Sequence, residues 1–75
     1  MVKNNMLAVR SLRAGELGKI SAVDGAVSIS KRLADMGFVR GVEVEMVKPG
    51  LPCIVRIDGV RVGLGGEHQD RIRLD

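Results

Sequence analysis

With 75 residues, a single cysteine and one aromatic residue, Phe38, this chain lacks the thiols for a disulfide framework or a cysteine-rich structural metal site. It also lacks the aromatic faces on which single-stranded nucleic acid stacks. Twelve lysines and arginines against nine acidic residues leave a net charge of +3, with the two signs interleaved; that describes a solvated surface better than a nucleic-acid-binding field.

So short a chain buries only about 60% of its unfolded surface, so residues 1–75 are read as one domain with one small core. Residues 1–9 read as a loosely ordered arm, with Leu7 and Val9 as material for a short edge strand. The arm has no long apolar run of the secretory kind, and no stretch of the chain approaches the ~18 apolar residues of a membrane span. A lone thiol suits a reducing compartment. The expectation is a cytoplasmic protein without direct membrane insertion.

Ser11 to Gly15 reads as a turn with Leu12 tucked inward, and Gly18 to Val23 as a strand with Ile20 and Val23 facing the core. Asp24-Gly25 is a turn signal. A helix is expected from Ser28, as N-cap, to Met36, with Ile29, Leu33 and Met36 on one face and Ala34 beside them. At about nine residues it is too short to stand alone, so it must dock on a sheet. Gly37 ends the helix in a left-handed conformation, and Phe38 folds back onto Leu33.

After Gly41 the rhythm changes to period two. Val42, Val44 and Met46 point one way, and Glu43 and Glu45 the other. Lys48 to Pro52 forms a stiff loop. Asp58-Gly59, flanked by apolar runs, then specifies a two-residue hairpin turn. This turn sets Ile57 against Val60, Arg56 against Arg61, Val55 against Val62 and Cys53 against Leu64.

The core face of that hairpin is then Cys53, Val55, Ile57, Val60, Val62 and Leu64. Gly65-Gly66 breaks the strand, residues 67–70 make one helical turn, and Ile72 and Leu74 close the sheet with Arg71 and Arg73 outward. Five short strands with one short helix predict a mainly β, small α+β domain: an SH3-like antiparallel barrel whose curvature hides most sheet edges.

The order and spacing of these residues resemble the ferrous iron transport protein A (FeoA) family. The resemblance runs from Leu12 to Leu74, through Leu12-x-x-Gly15-x-x-Gly18-x-Ile20 and Arg32-Leu33-x-x-Met36-Gly37-Phe38-x-x-Gly41-x-x-Val44. It continues through the proline-containing loop before Ile54-Val55, then Asp58-Gly59, Val62-x-Leu64 and Ile72-x-Leu74. Leu12, Gly15, Gly18, Leu33, Gly37, Gly41 and Gly59 are the structural positions of that pattern. Two departures stand out: Arg40 replaces a proline before Gly41, and Gly65 and Gln69 replace an arginine and a small alanine. The second implies a looser corner after Leu64.

The resemblance implies a non-enzymatic cytoplasmic accessory protein that docks on and modulates a FeoB-type ferrous iron permease. The same module forms the C-terminal domain of some iron-dependent repressors. The alternative is therefore a nucleic-acid-associated or metal-sensing module, although no helix-turn-helix precedes the barrel. No resident cofactor is required, and weak self-association is an open expectation.

Three sets of residues are candidate sites. Glu67, His68 and Asp70 carry donors for a weakly held divalent transition metal, with Asp58 and Cys53 as outlying candidates. Cys53, however, is expected inward as a small hydrophobe. Arg56 and Arg61 face each other as like charges, which costs about 0.2–1 kcal/mol. With Arg71 and Arg73 they either splay into water or form a basic patch for an acidic protein surface. Phe38 and Val39 either seal the helix end or dock on a partner. Catalysis finds no nucleophile with a base and no phosphate-binding glycine motif, since Gly63 to Gly66 lacks the strand-to-helix setting.

Overall fold

In the computed structural model, which describes residues 7–75, the period-two segments form one five-stranded antiparallel sheet in the order β4-β3-β2-β1-β5. The strands are β1 (Leu17–Val23), β2 (Glu43–Lys48), β3 (Cys53–Ile57), β4 (Val60–Leu64) and β5 (Ile72–Leu74). The long strand β1 serves two halves. Leu17, Gly18 and Lys19 pair with Glu45, Val44 and Glu43 of β2. From Ile20 onward the same strand pairs with β5, with a bulge between Ile20 and Ala22. That bend folds the sheet over itself and makes the expected SH3-like barrel. Gly18 sits inside the curve, where a Cβ would stand 2.7 Å from Leu74 Cδ1.

The hairpin takes the register expected of it. Ile57 pairs with Val60, Arg56 with Arg61, Val55 with Val62 and Cys53 with Leu64. Asp58 and Gly59 both adopt positive φ, 51° and 78°, as a turn twisted to match its strands requires. One residue departs from the core face: Val60 is 59% exposed. Period two assigns it the correct side of the sheet, but the strand runs past the end of the core there.

The helix α1 spans Val27–Asp35 and starts earlier than the serine signal indicated. Its N-cap is Ala26, whose carbonyl accepts from Ile29 and Ser30 N–H, and no side chain caps it. Ser28 instead lies exposed in the first turn. The left-handed turn at Gly25 (φ 118°) lets the chain enter the helix before a serine is needed.

The other end is a full Schellman motif. Phe38 N–H donates to Leu33 C=O and Gly37 N–H to Ala34 C=O, both at 2.9 Å, with Gly37 at φ 102°. Leu33 and Phe38 are both buried in the common core. Met36, expected on the buried stripe, is 38% exposed because the chain turns away from the core at its own position.

Two expectations about the chain's ends are corrected. The loose arm of residues 1–9 does not extend to its last three residues. Val9 is fully buried at the start of a short 3-10 helix (Val9–Ser11), Ala8 bridges to Arg73, and Leu74 N–H donates to Leu7 C=O. The rest of that arm lies outside the described residues. The corner after Leu64 is not loose either. A helix α2 (Gly66–Arg71) follows it, and Gln69 is buried at 2% exposure. Its Nε2 donates to Leu64 C=O and to Gly50 C=O, both at 2.9 Å. A polar side chain thus fastens β4 to the loop before β3.

Candidate protein-docking surface

The outer face of the sheet resolves the opposed arginines. β2 lies beside β3 with Glu45 opposite Arg56, so the cross-strand row reads Arg61, Arg56, Glu45. Arg56 Nη1 donates to Glu45 Oε1 at 2.7 Å. The like-charge contact therefore has a counter-charge one strand away. Among the described residues Arg61 alone of this row has no ion pair, and it is exposed.

Arg71 and Arg73 do not extend the same patch. Arg71 ends α2 and Arg73 lies in β5, at the opposite end of the sheet order, and both serve the Asp24-Gly25 turn. Arg73 Nε donates to Asp24 Oδ2 at 3.0 Å. Arg71 lays its guanidinium over Gly25, where a Cβ would stand 2.6 Å from Nη1, and its Nε is buried without a partner. Its C=O accepts from Asp24 N–H. These two arginines hold a turn; the single basic patch of four is corrected to a pair on the hairpin and a pair on the turn.

Phe38, carried as a docking candidate, is 1% exposed and so cannot meet a partner. Its neighbour Val39 is 41% exposed. The end of α1 meets the hairpin tip: a Cβ on Gly37 would lie 3.8 Å from Ile57 Cδ1, and Ile57 pairs with Val60. Gly37, between exposed Met36 and Val39, thus lies near the cross-strand partner of exposed Val60, and Arg61, next along β4, points to the outer face; Leu17, Val27 and Leu51 are exposed as well. Sequence reasoning expected Arg61 on the outer face and offered Val39 as an exposed candidate, and both are exposed. It expected Val60 and Met36 in the core, and for Val60 the Asp58-Gly59 turn next to it was the available signal of exposure.

The metal candidates do not assemble. Among the described residues no group of three His, Cys, Asp or Glu side chains comes together to hold an ion. Asp70 is engaged elsewhere: Arg10 Nε donates to its Oδ1 at 2.5 Å and Arg10 Nη2 to its Oδ2 at 3.1 Å. Arg10 Nη2 also donates to Gly66 C=O at 3.0 Å, so one guanidinium spans both ends of α2. Cys53 is fully buried, and burial pushes its thiol pKa up. In this arrangement Glu67, His68 and Asp70 do not converge into one donor set. No local signal pointed to the Arg10–Asp70 clasp, whose partners are 60 residues apart.

The hydrogen bond and charge of Arg10 hold the Asp70 carboxyl below its usual pKa. A lowered carboxyl pKa adds stability above the ordinary carboxylate range, and that stability is lost as pH falls through the folded-state value. Denaturant midpoints of the wild type and of Asp70→Asn should therefore differ at neutral pH and converge in acid. A constant difference across the range would show that the clasp is not electrostatic.

No cavity large enough for a small molecule opens among the described residues, and no helix is long and apolar enough to cross a membrane. Compared with known families, residues 7–75 match the model of the FeoA domain. No curated protein matches the chain.

Among solved structures, a crystal structure of an iron uptake regulatory protein (FeoA) superposes with a TM-score of 0.86 at 20% identity. That match covers 91% of this chain and 93% of the other. The zinc-complexed FeoA of Stenotrophomonas maltophilia is 28% identical, with a TM-score of 0.81 over 92% of this chain and 89% of that one. It was described as a prokaryotic SH3 domain protein proposed as a ferrous iron transport activating factor. A manganese-dependent transcriptional repressor shares the fold at 17% identity and a TM-score of 0.83, over 91% of this chain but only 40% of its own length.

Proposed function

This chain belongs to the FeoA family, and from that premise we propose that it is a non-enzymatic cytoplasmic accessory protein of ferrous iron uptake. Its role is to dock on the cytoplasmic portion of a FeoB-type permease and modulate it. The observation that carries the docking surface is the exposure of Met36, Val39 and Val60 where the end of α1 approaches the hairpin through Gly37 and Ile57. Exposed apolar side chains on so small a domain suit a protein contact, and the neighbouring free charge of Arg61 suits an acidic rim around it. Iron is the cargo of the permease in this reading, and the accessory chain supplies shape and charge to its partner.

The test is binding of the permease's isolated cytoplasmic portion. Val39→Asp and Val60→Asp place a charge in the contact without touching the buried core. Each is expected to weaken binding at least about tenfold, the scale of a truncated contact residue worth more than 1 kcal/mol, with little change in the unfolding midpoint. Undiminished binding by both variants would remove the proposed surface.

A further inference from the structure

We infer that this chain also pairs with a second copy of itself through the free edge of β4, in a two-fold arrangement centred on Val62. The sheet has two terminal strands, and only one is left open. The outer edge of β5 is taken by its own chain, through the Ala8–Arg73 bridge and the Leu74 N–H to Leu7 C=O bond. β4 ends the sheet order, and among the described residues no strand pairs with its outer side.

The hairpin decides which backbone groups face outward. In a two-residue hairpin the pair flanking the turn exchanges its hydrogen bonds, and bonded and non-bonded pairs then alternate. Val60, Val62 and Leu64 therefore aim their N–H and C=O groups at β3, and Arg61 and Gly63 aim theirs outward. An open edge with two residues in this state is a template for another strand.

Charge and space select the register. An antiparallel pair centred on Arg61 would oppose two like charges. One centred on Gly63 would bring Arg61 against Gly65, next to the start of α2 at Gly66. Centring on Val62 places Arg61 of each copy opposite Gly63 of the other. All four outward groups of each strand then pair, and Arg61 lies over a residue with no side chain. Val60 and Val62, exposed and half-buried in the single chain, gain apolar neighbours on the inner side. With the β5 edge already covered, β4 cannot continue into the next copy's β5, so the assembly closes as a pair instead of growing into a filament. An interface of five residues a side is small, and the pair is correspondingly weak and concentration-dependent.

Position 63 tests this independently of permease docking. A Cβ there would meet only Cys53 C=O and Ile54 Cδ1, both at 3.9 Å, so a longer side chain fits the single chain. In the pair, Gly63→Lys sets a positive charge against Arg61 twice and should weaken association about tenfold; Gly63→Glu should strengthen it by a similar factor. Sedimentation velocity from micromolar to millimolar protein reads both effects, and amide shifts on dilution should map to residues 60–64. A single chain at every concentration overturns the inference. So does an association that responds alike to Lys and Glu, or one whose shifts centre on Met36 and Val39. Amide shifts at 60–64 that appear only on adding the permease portion would assign the edge to a foreign strand instead, and equally overturn it.

Discussion

Replacing Phe38 with alanine should cost about 3–5 kcal/mol, the usual range for emptying a buried aromatic site. Against a total of about 4–11 kcal/mol for a domain of this length, the variant should be marginal or unfolded at room temperature. The size of the effect comes from where Phe38 stands. As the residue after the helix-ending Gly37, its N–H closes the Schellman bond to Leu33 C=O while its ring is 1% exposed. Emptying the site removes the only aromatic side chain in the core and the hydrophobic contact that accompanies the helix stop. Urea unfolding followed by circular dichroism measures it, with Phe38→Leu as the milder comparison. A loss below about 1 kcal/mol, the scale of a surface substitution, would mean the core does not depend on that ring.

Gln69→Glu should be comparably severe for a different reason. The glutamine amide gives both of its hydrogens to carbonyls, of Leu64 and Gly50, in a buried setting. A carboxylate there has no hydrogens to give and brings a charge against two carbonyl oxygens. Burying such an uncompensated charge costs about 3–5 kcal/mol. Burial and the two carbonyls raise the folded-state pKa of the new carboxyl, so the protonated form is the one the fold accepts. The deficit against wild type should therefore be smallest in acid and grow as pH rises through the carboxylate range. The deficit thus grows with pH as it does for Asp70→Asn, but here because the variant loses stability as its new carboxyl ionises, whereas there the wild type gains it. Gln69→Leu supplies the pH-independent control: it leaves the buried Leu64 C=O unpaired, at about 1–3 kcal/mol, while exposed Gly50 can turn to water. A Gln69→Glu deficit that does not change with pH would show the side chain has turned out to solvent.

What could be read from the sequence was what is decided locally. The hairpin register followed from Asp58-Gly59 and period two, and the helix stop from Gly37 and Phe38, because each is set by a handful of adjacent residues. Depth was not legible. Val60 and Met36 have the correct side for the core but lie beyond its edge, which depends on where distant strands end. Gln69 read as a residue that loosens its corner because its two acceptors lie on β4 and on the distant loop before β3. Ser28 was the better cap by type, yet the backbone turn at Gly25 started the helix without it. The candidate site shows the same limit. Arg56 and Arg61 were correctly opposed, but Glu45 came into view only with the β2–β3 register. Arg71 and Arg73 looked like free charges until the turn at Asp24 was placed beside them.

The doubling of β1 carries a kinetic meaning. Its first half pairs with β2, which belongs to a meander of neighbours, β2, β3 and β4, each a short loop away from the next. Its second half pairs with β5, at the far end of the chain. Contacts between near neighbours in sequence close quickly, and those between the termini must first overcome the entropy of a long loop. The meander can thus assemble as a curved sheet with one side open. The two ends of the chain then meet over it last, where Leu7, Ala8 and the Arg10–Asp70 clasp fasten β5 in place.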